Sequence, residues 1–288
     1  MAILKEIRRA VSTLDPGEVE AQAHRRVDIG LIAADEAGFA EMEEFLLPSA
    51  KTPPRKRAES GVMLHRVGVS EQTAFDFLLA APDAEAPGHA IIYRAGDKET
   101  TLREILVQNE DLGLALARNF YPFRQPVVDR AIYTVSRENA LFAVVTALPD
   151  VIPSLAELPW SLGEFASDTA FLTINQIRLA FMIAAASSKP VGYSLQKSEI
   201  ASIVAGAFGW RALARELAGK IPFGCGLIPK GAIAFAGTFV VGMGLERFHR
   251  TGSGFSGREG SDVYRLAYER GKSVVEGLLR GLKNRNAA

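Results

Sequence analysis

Cysteine is almost missing: Cys225 is the one thiol in 288 residues, so no internal disulfide forms and no thiolate cluster can hold a metal. In "PFGCGLIP" it reads as a small packed residue rather than a nucleophile. An excess of either charge is missing too, with 33 Lys and Arg against 33 Asp and Glu. That balance removes the signature of a whole-molecule nucleic-acid binder, and no nucleic-acid partner is expected. The four histidines, His24, His65, His89 and His249, are scattered without ligand spacing, so neither a metal nor a cofactor is expected. The opening "MAILKEIRRAV" carries charge throughout and has no apolar stretch followed by a cleavage site. A bacterial-type location in the cytoplasm or on the cytoplasmic face of the inner membrane is the expectation.

What is present begins with "VDIGLIAADEAGFAEMEEFLLP", Val27 to Pro48: an apolar strand, a turn of small residues and an amphipathic helix. A phosphate loop G-x-x-x-x-G-K-[ST] works because backbone N–H groups cradle the phosphates, the lysine neutralises them and the hydroxyl holds Mg²⁺. Laid on this chain, the pattern puts Ala33 at the first glycine, Gly38 at the second, Phe39 at the lysine and Ala40 at the hydroxyl. Asp35 and Glu36 add negative charge where a triphosphate would sit. "AAPDAEAPG" has Asp83 near Pro87-Gly88 at the wrong spacing for D-x-x-G, and N-K-x-D is absent from the chain. Nucleotide recognition has little to rest on.

Residues 3 to 14 read as an amphipathic helix ended by Pro16-Gly17, and "PSAKTPPRKRAESG" as a mobile basic loop carrying Lys51, Arg55, Lys56 and Arg57. Strand-length runs follow in "VMLHRVGV", "AFDFLLAAP" and "HAIIYRAG", then helical periodicity in "TLREILVQNEDLGLALARNF". The first half is therefore expected to be α/β with a small, mostly parallel sheet.

From Pro126 to Arg250 the texture changes to long Ala- and Gly-rich apolar stretches of helical length, with "ALPDVIPS" and "KIPFGCGLIP" as similar proline-bearing connections. Ala234, Thr238 and Gly242 recur every four residues, a stripe that lets another helix approach closely. Between Lys230 and Glu246 the apolar run is too short for an independent membrane span, and the segment with Asn175, Gln176 and Arg178 is too polar; half-buried hairpins are the expectation. Glu138, Glu164, Asp168 and Arg178 read as a buried structural network rather than a catalytic set. Trp160 and Trp210 read as core residues, with membrane-interface anchoring as the alternative; Ser194 in "GYSLQ" reads as a helix cap. "TGSGFSGREGSD" reads as a linker before a last amphipathic helix ending in Arg280, Lys283 and Arg285.

The segments "ALPDVIPSLAELPW", "TINQIRLAFMIAAA" and "GAFGWRALARELAGKIPFGCGLIPKGAIAFAGTFVVGMGLERF" resemble the hydrophobic helical domain of unknown function in the YcjF inner-membrane protein family and at the C-terminus of some Era-like GTPases. The resemblance implies membrane association and a link to GTPases, and supplies no activity and no catalytic residues. It suggests a division into an N-terminal helix (1–20), a degenerate G-domain-like α/β domain (21–122), a helical-hairpin domain (123–256) and a C-terminal amphipathic helix (257–288). The expectation is a non-catalytic scaffold with a lipid or GTPase partner, self-associating or not. The alternative is a soluble enzyme or nucleotide sensor with a pocket between the halves, Asp35 serving as a metal ligand and the arginines of 51–57 as phosphate contacts.

Overall fold

The computed structural model describes residues 14–68, 75–147, 168–204 and 226–286, with side chains to residue 281. It is mostly helical with one small parallel sheet, and it divides into two compact units. One comprises Gly17–Asp129 with Ala184–Pro190; the other comprises Met1–Pro16, Arg130–Ile183 and Val191–Ala288.

The α/β unit opens with α1 (Pro16–His24). Pro16 and Gly17, read from sequence as a helix end, instead start one. Proline suits a first helical turn because its fixed φ is already helical and its missing N–H would have had no partner. Strand β1 (Ile29–Ile32) is buried along its whole length, as expected of the centre of a parallel sheet. Helix α2 (Glu36–Leu46) is followed by α3 (Pro54–Gly61), where a loop was expected; Pro54 again lies at the start. The basic residues there are engaged rather than loose. Arg55 pairs with Glu59 at 2.9 Å, Lys56 donates to Asn119 Oδ1 at 2.9 Å, and Arg57 bridges Glu44 and the Leu47 carbonyl.

Strands β2 (Leu64–Arg66), β3 (Phe77–Ala80) and β4 (Ile91–Ile92) complete the sheet. All four strands run parallel in the order β2-β1-β3-β4. Residues 81–90 join β3 to β4 through turns without a helix, shorter than the dozen or more residues usual for a parallel crossover. The helical stretch that follows is broken in three: α4 (Lys98–Gln108), a 3₁₀ turn (Glu110–Leu112) and α5 (Gly113–Asn119). Asn109 makes the break by turning its side-chain amide back onto the Ile105 carbonyl at 3.0 Å.

The second unit holds most of α6 (Tyr121–Val145), α7 (Asp168–Ala186), α8 (Leu227–Thr251) and α9 (Gly257–Asn286), with residues 197–204 also helical. Helices α8 and α9 form a tight hairpin. Gly252, at φ 78°, ends α8 in the left-handed region, its N–H bonded to the Phe248 carbonyl at 2.8 Å. Ser256 and Glu259 then exchange hydrogen bonds between side chain and backbone in a capping box that starts α9. The expected linker thus shrinks to residues 252–256, because a serine and a glutamate three apart outweigh the glycines around them. Where the hairpin meets α6, Ala140, Val144, Phe235 and Val275 form a fully buried cluster.

Candidate functional site

In an open parallel sheet, ligands bind where the strand order reverses, outside the carboxyl ends of the strands. Here that point lies between β1 and β3, at Ala33 and Ala81. The turn is already occupied by the chain itself. Asp35 is the N-cap of α2, and its Oδ1 accepts the Gly38 N–H at 2.8 Å. That N–H is among the donors a bound phosphate would use. Gly38 seats α2 directly on the strand ends: a β-carbon there would stand 2.9 Å from Ala33 Cβ and 3.6 Å from Ala81 Cβ.

Phe39, at the lysine position, is half-buried beneath the Arg66 guanidinium, 5.1 Å from its ring centre. Arg66 is in turn held by Glu36 at 2.7 Å and Glu43 at 3.0 Å. The cation nearest this turn therefore spends its charge on carboxylates and an aromatic face. Ala40 is exposed, and Asp83 lies exposed in the turn after β3. Tyr93, just past β4, is pushed up to about 12, first by burial and then by Glu41, so its hydroxyl stays a neutral donor.

The second set of polar residues sits inside the helical unit. Asn139 of α6 donates to Thr238 Oγ1 of α8 at 2.7 Å, and its own Oδ1 accepts from Asn175 Nδ2 of α7 at 2.8 Å. Gln176 of α7 also donates to Thr238 at 3.2 Å. All four side chains are buried. One turn away, Arg178 and Glu138 form an ion pair at 2.5 Å, both largely shielded. Three helices are thereby fixed in register by neutral hydrogen bonds, which avoid the several kcal/mol that each buried ion would cost. The stripe Ala234, Thr238 and Gly242 faces inward here: a β-carbon on Gly242 would come 2.7 Å from Ile132 Cγ1 and 3.0 Å from Leu179 Cδ2.

Sequence reasoning found Glu138, Arg178, Asn175, Gln176 and Thr238 individually and missed Asn139, which joins them. "SREN" is an unremarkable polar stretch until the partner helices are in place. His249 and Glu199, 3.7 Å apart with largely shielded side chains, were likewise not linked; Glu199 also accepts from Gln196 Nε2 at 2.7 Å. His65 meets Asp28 at 2.7 Å, and His24 donates to its own helix. Arg26, then His65, hold the Asp28 carboxyl below the usual carboxylate range. Among the described residues no three His, Cys, Asp or Glu side chains gather as a metal site. Ser194 lies in the turn before residue 197. Trp160, Glu164, Trp210 and Cys225 fall outside the described residues, as do residues 3–13 of the expected first helix and the side chain of Asp168.

Two helical stretches, Thr169–Ala186 and Leu227–Thr251, are long and apolar enough to cross a membrane by length and composition. This revises both expectations, that the α8 run is too short and that the α7 segment with Asn175, Gln176 and Arg178 is too polar. The α8 helix continues past both bounding charges, Lys and Glu being good helix formers; Lys230 reaches Thr146 Oγ1 at 3.2 Å and Glu246 pairs with Arg250 at 2.8 Å. The two differ in burial: 78% of the first stretch lies inside the protein against 44% of the second. The first fits the core helix of a globular unit, while most of the second's remaining residues are half-buried, with Phe248 exposed. Comparison of the chain with family models, curated proteins and solved structures gave no match.

Proposed function

We propose that the protein is a non-catalytic scaffold associated with membrane or with a GTPase, made of a degenerate G-domain-like α/β unit and a hairpin unit that contacts lipid or a second copy of itself. The observation that carries the reading is α8: a helix of 25 residues, apolar enough to span a bilayer, with less than half of its length buried by its own unit. A helix of that length extends about 37 Å, comparable to hydrocarbon thickness. The likeness to the hydrophobic domain of the YcjF family and some Era-like GTPases points the same way. So does the β1–α2 turn, where a carboxylate caps one of the donors that a nucleotide would need.

Washing membranes of expressing cells with carbonate at high pH tests the first clause. The protein is expected in the washed pellet; recovery entirely in the supernatant removes membrane association. The second clause is tested by equilibrium binding of fluorescent GTP and ATP analogues with Mg²⁺. No binding is expected, and tight magnesium-dependent binding abolished by substitutions in the Ala33–Ala40 turn would overturn the degenerate-loop reading.

A further inference from the structure

Between α6 and α9 runs a groove of about 710 Å³, within the usual size of a small-molecule site. Its walls carry Tyr133, Arg137 and Leu141 from α6, one turn apart, and Arg270, Val274 and Leu278 from α9. The two helices run in the same direction along it. Tyr133 lies beside Arg270, with 4.9 Å between guanidinium and ring centre, and farther along Val144 and Val275 both close on Gly231. One end is consequently cationic and the other apolar.

Two cations of α9 are matched by carboxylates of the same helix, Arg265 by Asp262 at 3.2 Å and Lys272 by Glu269 at 2.6 Å. The two groove arginines have no such partner among the described residues. Among the described residues Arg270 meets only the faces of Tyr133 and Phe239, and Arg137 meets no carboxylate. Both are exposed, so each keeps its full set of donors for an incoming anion. Ser273 adds a hydroxyl at the same end. Gly277, farther along, has no atom within 4 Å of the place a β-carbon would take.

We propose that this groove binds one anionic phospholipid, its phosphate held between Arg137 and Arg270 and its first acyl carbons laid along Leu141, Val274 and Leu278. Guanidinium pairs recognise phosphate through two parallel N–H donors, and the apolar end gives an inorganic anion nothing to hold. The proposal rests on the membrane reading and deepens it by naming the lipid class and the site.

The test is flotation of the purified full-length chain with phosphatidylcholine vesicles, with and without phosphatidylglycerol. Each arginine near an anionic surface contributes about fivefold, so Arg137→Gln with Arg270→Gln is expected to lower affinity for phosphatidylglycerol vesicles about thirty-fold. Arg258→Gln with Arg265→Gln, an equal loss of charge outside the groove, is expected to retain most of the binding. Gly277→Leu, which fills the groove without changing charge, is expected to weaken binding as well, and it supplies the decisive variant should the arginine pair fail to fold. Short-chain phosphatidylglycerol should raise the melting temperature where inorganic phosphate does not.

Failure to float with either vesicle removes the membrane reading and this site together. Flotation without preference for phosphatidylglycerol, equal loss in the control pair, or an equal shift with inorganic phosphate overturns the site alone. Gly277→Leu that splits a dimer on sizing while floating like the parent assigns the groove to a second copy instead, and likewise overturns it.

Discussion

The two units place their polar groups in opposite ways. In the α/β unit, ions ring the outside: Arg25 reaches Asp76 and Asp111, Arg26 and His65 reach Asp28, and Arg66 reaches Glu36 and Glu43, all around an apolar sheet. In the helical unit the centre itself is polar, built of amides and a hydroxyl from three helices. Exposed ion pairs contribute little, with a median of about 0–1 kcal/mol. A buried amide left unpaired costs about 1–3 kcal/mol. The difference teaches that the α/β unit owes its stability to apolar burial, whereas the helical unit also depends on every member of its network being present.

The largest expected effect is at the close helix contact. Gly242→Leu drives a side chain into Ile132 and Leu179 and should destabilise the helical unit by about 3 kcal/mol, read as a lower urea midpoint. Next, Asn139→Ala removes one residue from two buried hydrogen bonds and should cost about 2–3 kcal/mol. By contrast, Arg66→Gln in the α/β unit, which breaks two surface pairs, should cost under about 1 kcal/mol. If Arg66→Gln proved the costlier change, the contrast between the units would be wrong. Loss of the Asp97 cap, whose Oδ1 accepts the Thr100 N–H at 3.1 Å, should cost about 1 kcal/mol when Asp97→Ala is compared by thermal melting.

The smallest effect is with pH. Hydrogen bonds from the Ser256 backbone and hydroxyl, then Arg247, hold the Glu259 carboxyl below its ordinary range, and bonds from Thr100 do the same for Asp97. Since both groups titrate lower when folded, their stabilisation is complete above their unfolded values, near about 4. It is lost as pH falls through the folded ones. Melting temperature should therefore drop modestly between about pH 5 and pH 3, and a Glu259→Gln variant should lose part of that dependence.

Much of the α/β half is legible in the chain. "DIGLI" is apolar and β-rich, and Asp35 is a strong helix cap, so β1 and α2 fall within two residues of where composition puts them. What misleads is proline. Pro16 and Pro54 read as breakers, yet each opens a helix, and only the neighbouring fold decides between those roles. The end of α8 and the start of α9 were legible in principle, since "SGRE" spells a capping box; the surrounding glycines drew the reading toward a linker. The polar network was legible only as separate residues. Asn175 and Thr238 stand in separate segments and Asn139 drew no notice, because nothing local says that three helices bring Asn139 within 3 Å of both.

The grip of Asp35 on the Gly38 N–H makes any gain of anion binding at this turn a matter of more than two changes. Installing an ammonium at position 39 and an alcohol at position 40 would still leave a resident negative charge seated on the helix end, competing from within a covalent tether. Neither replacement brings a gain until the tethered acid has gone, so the three changes would have to come together.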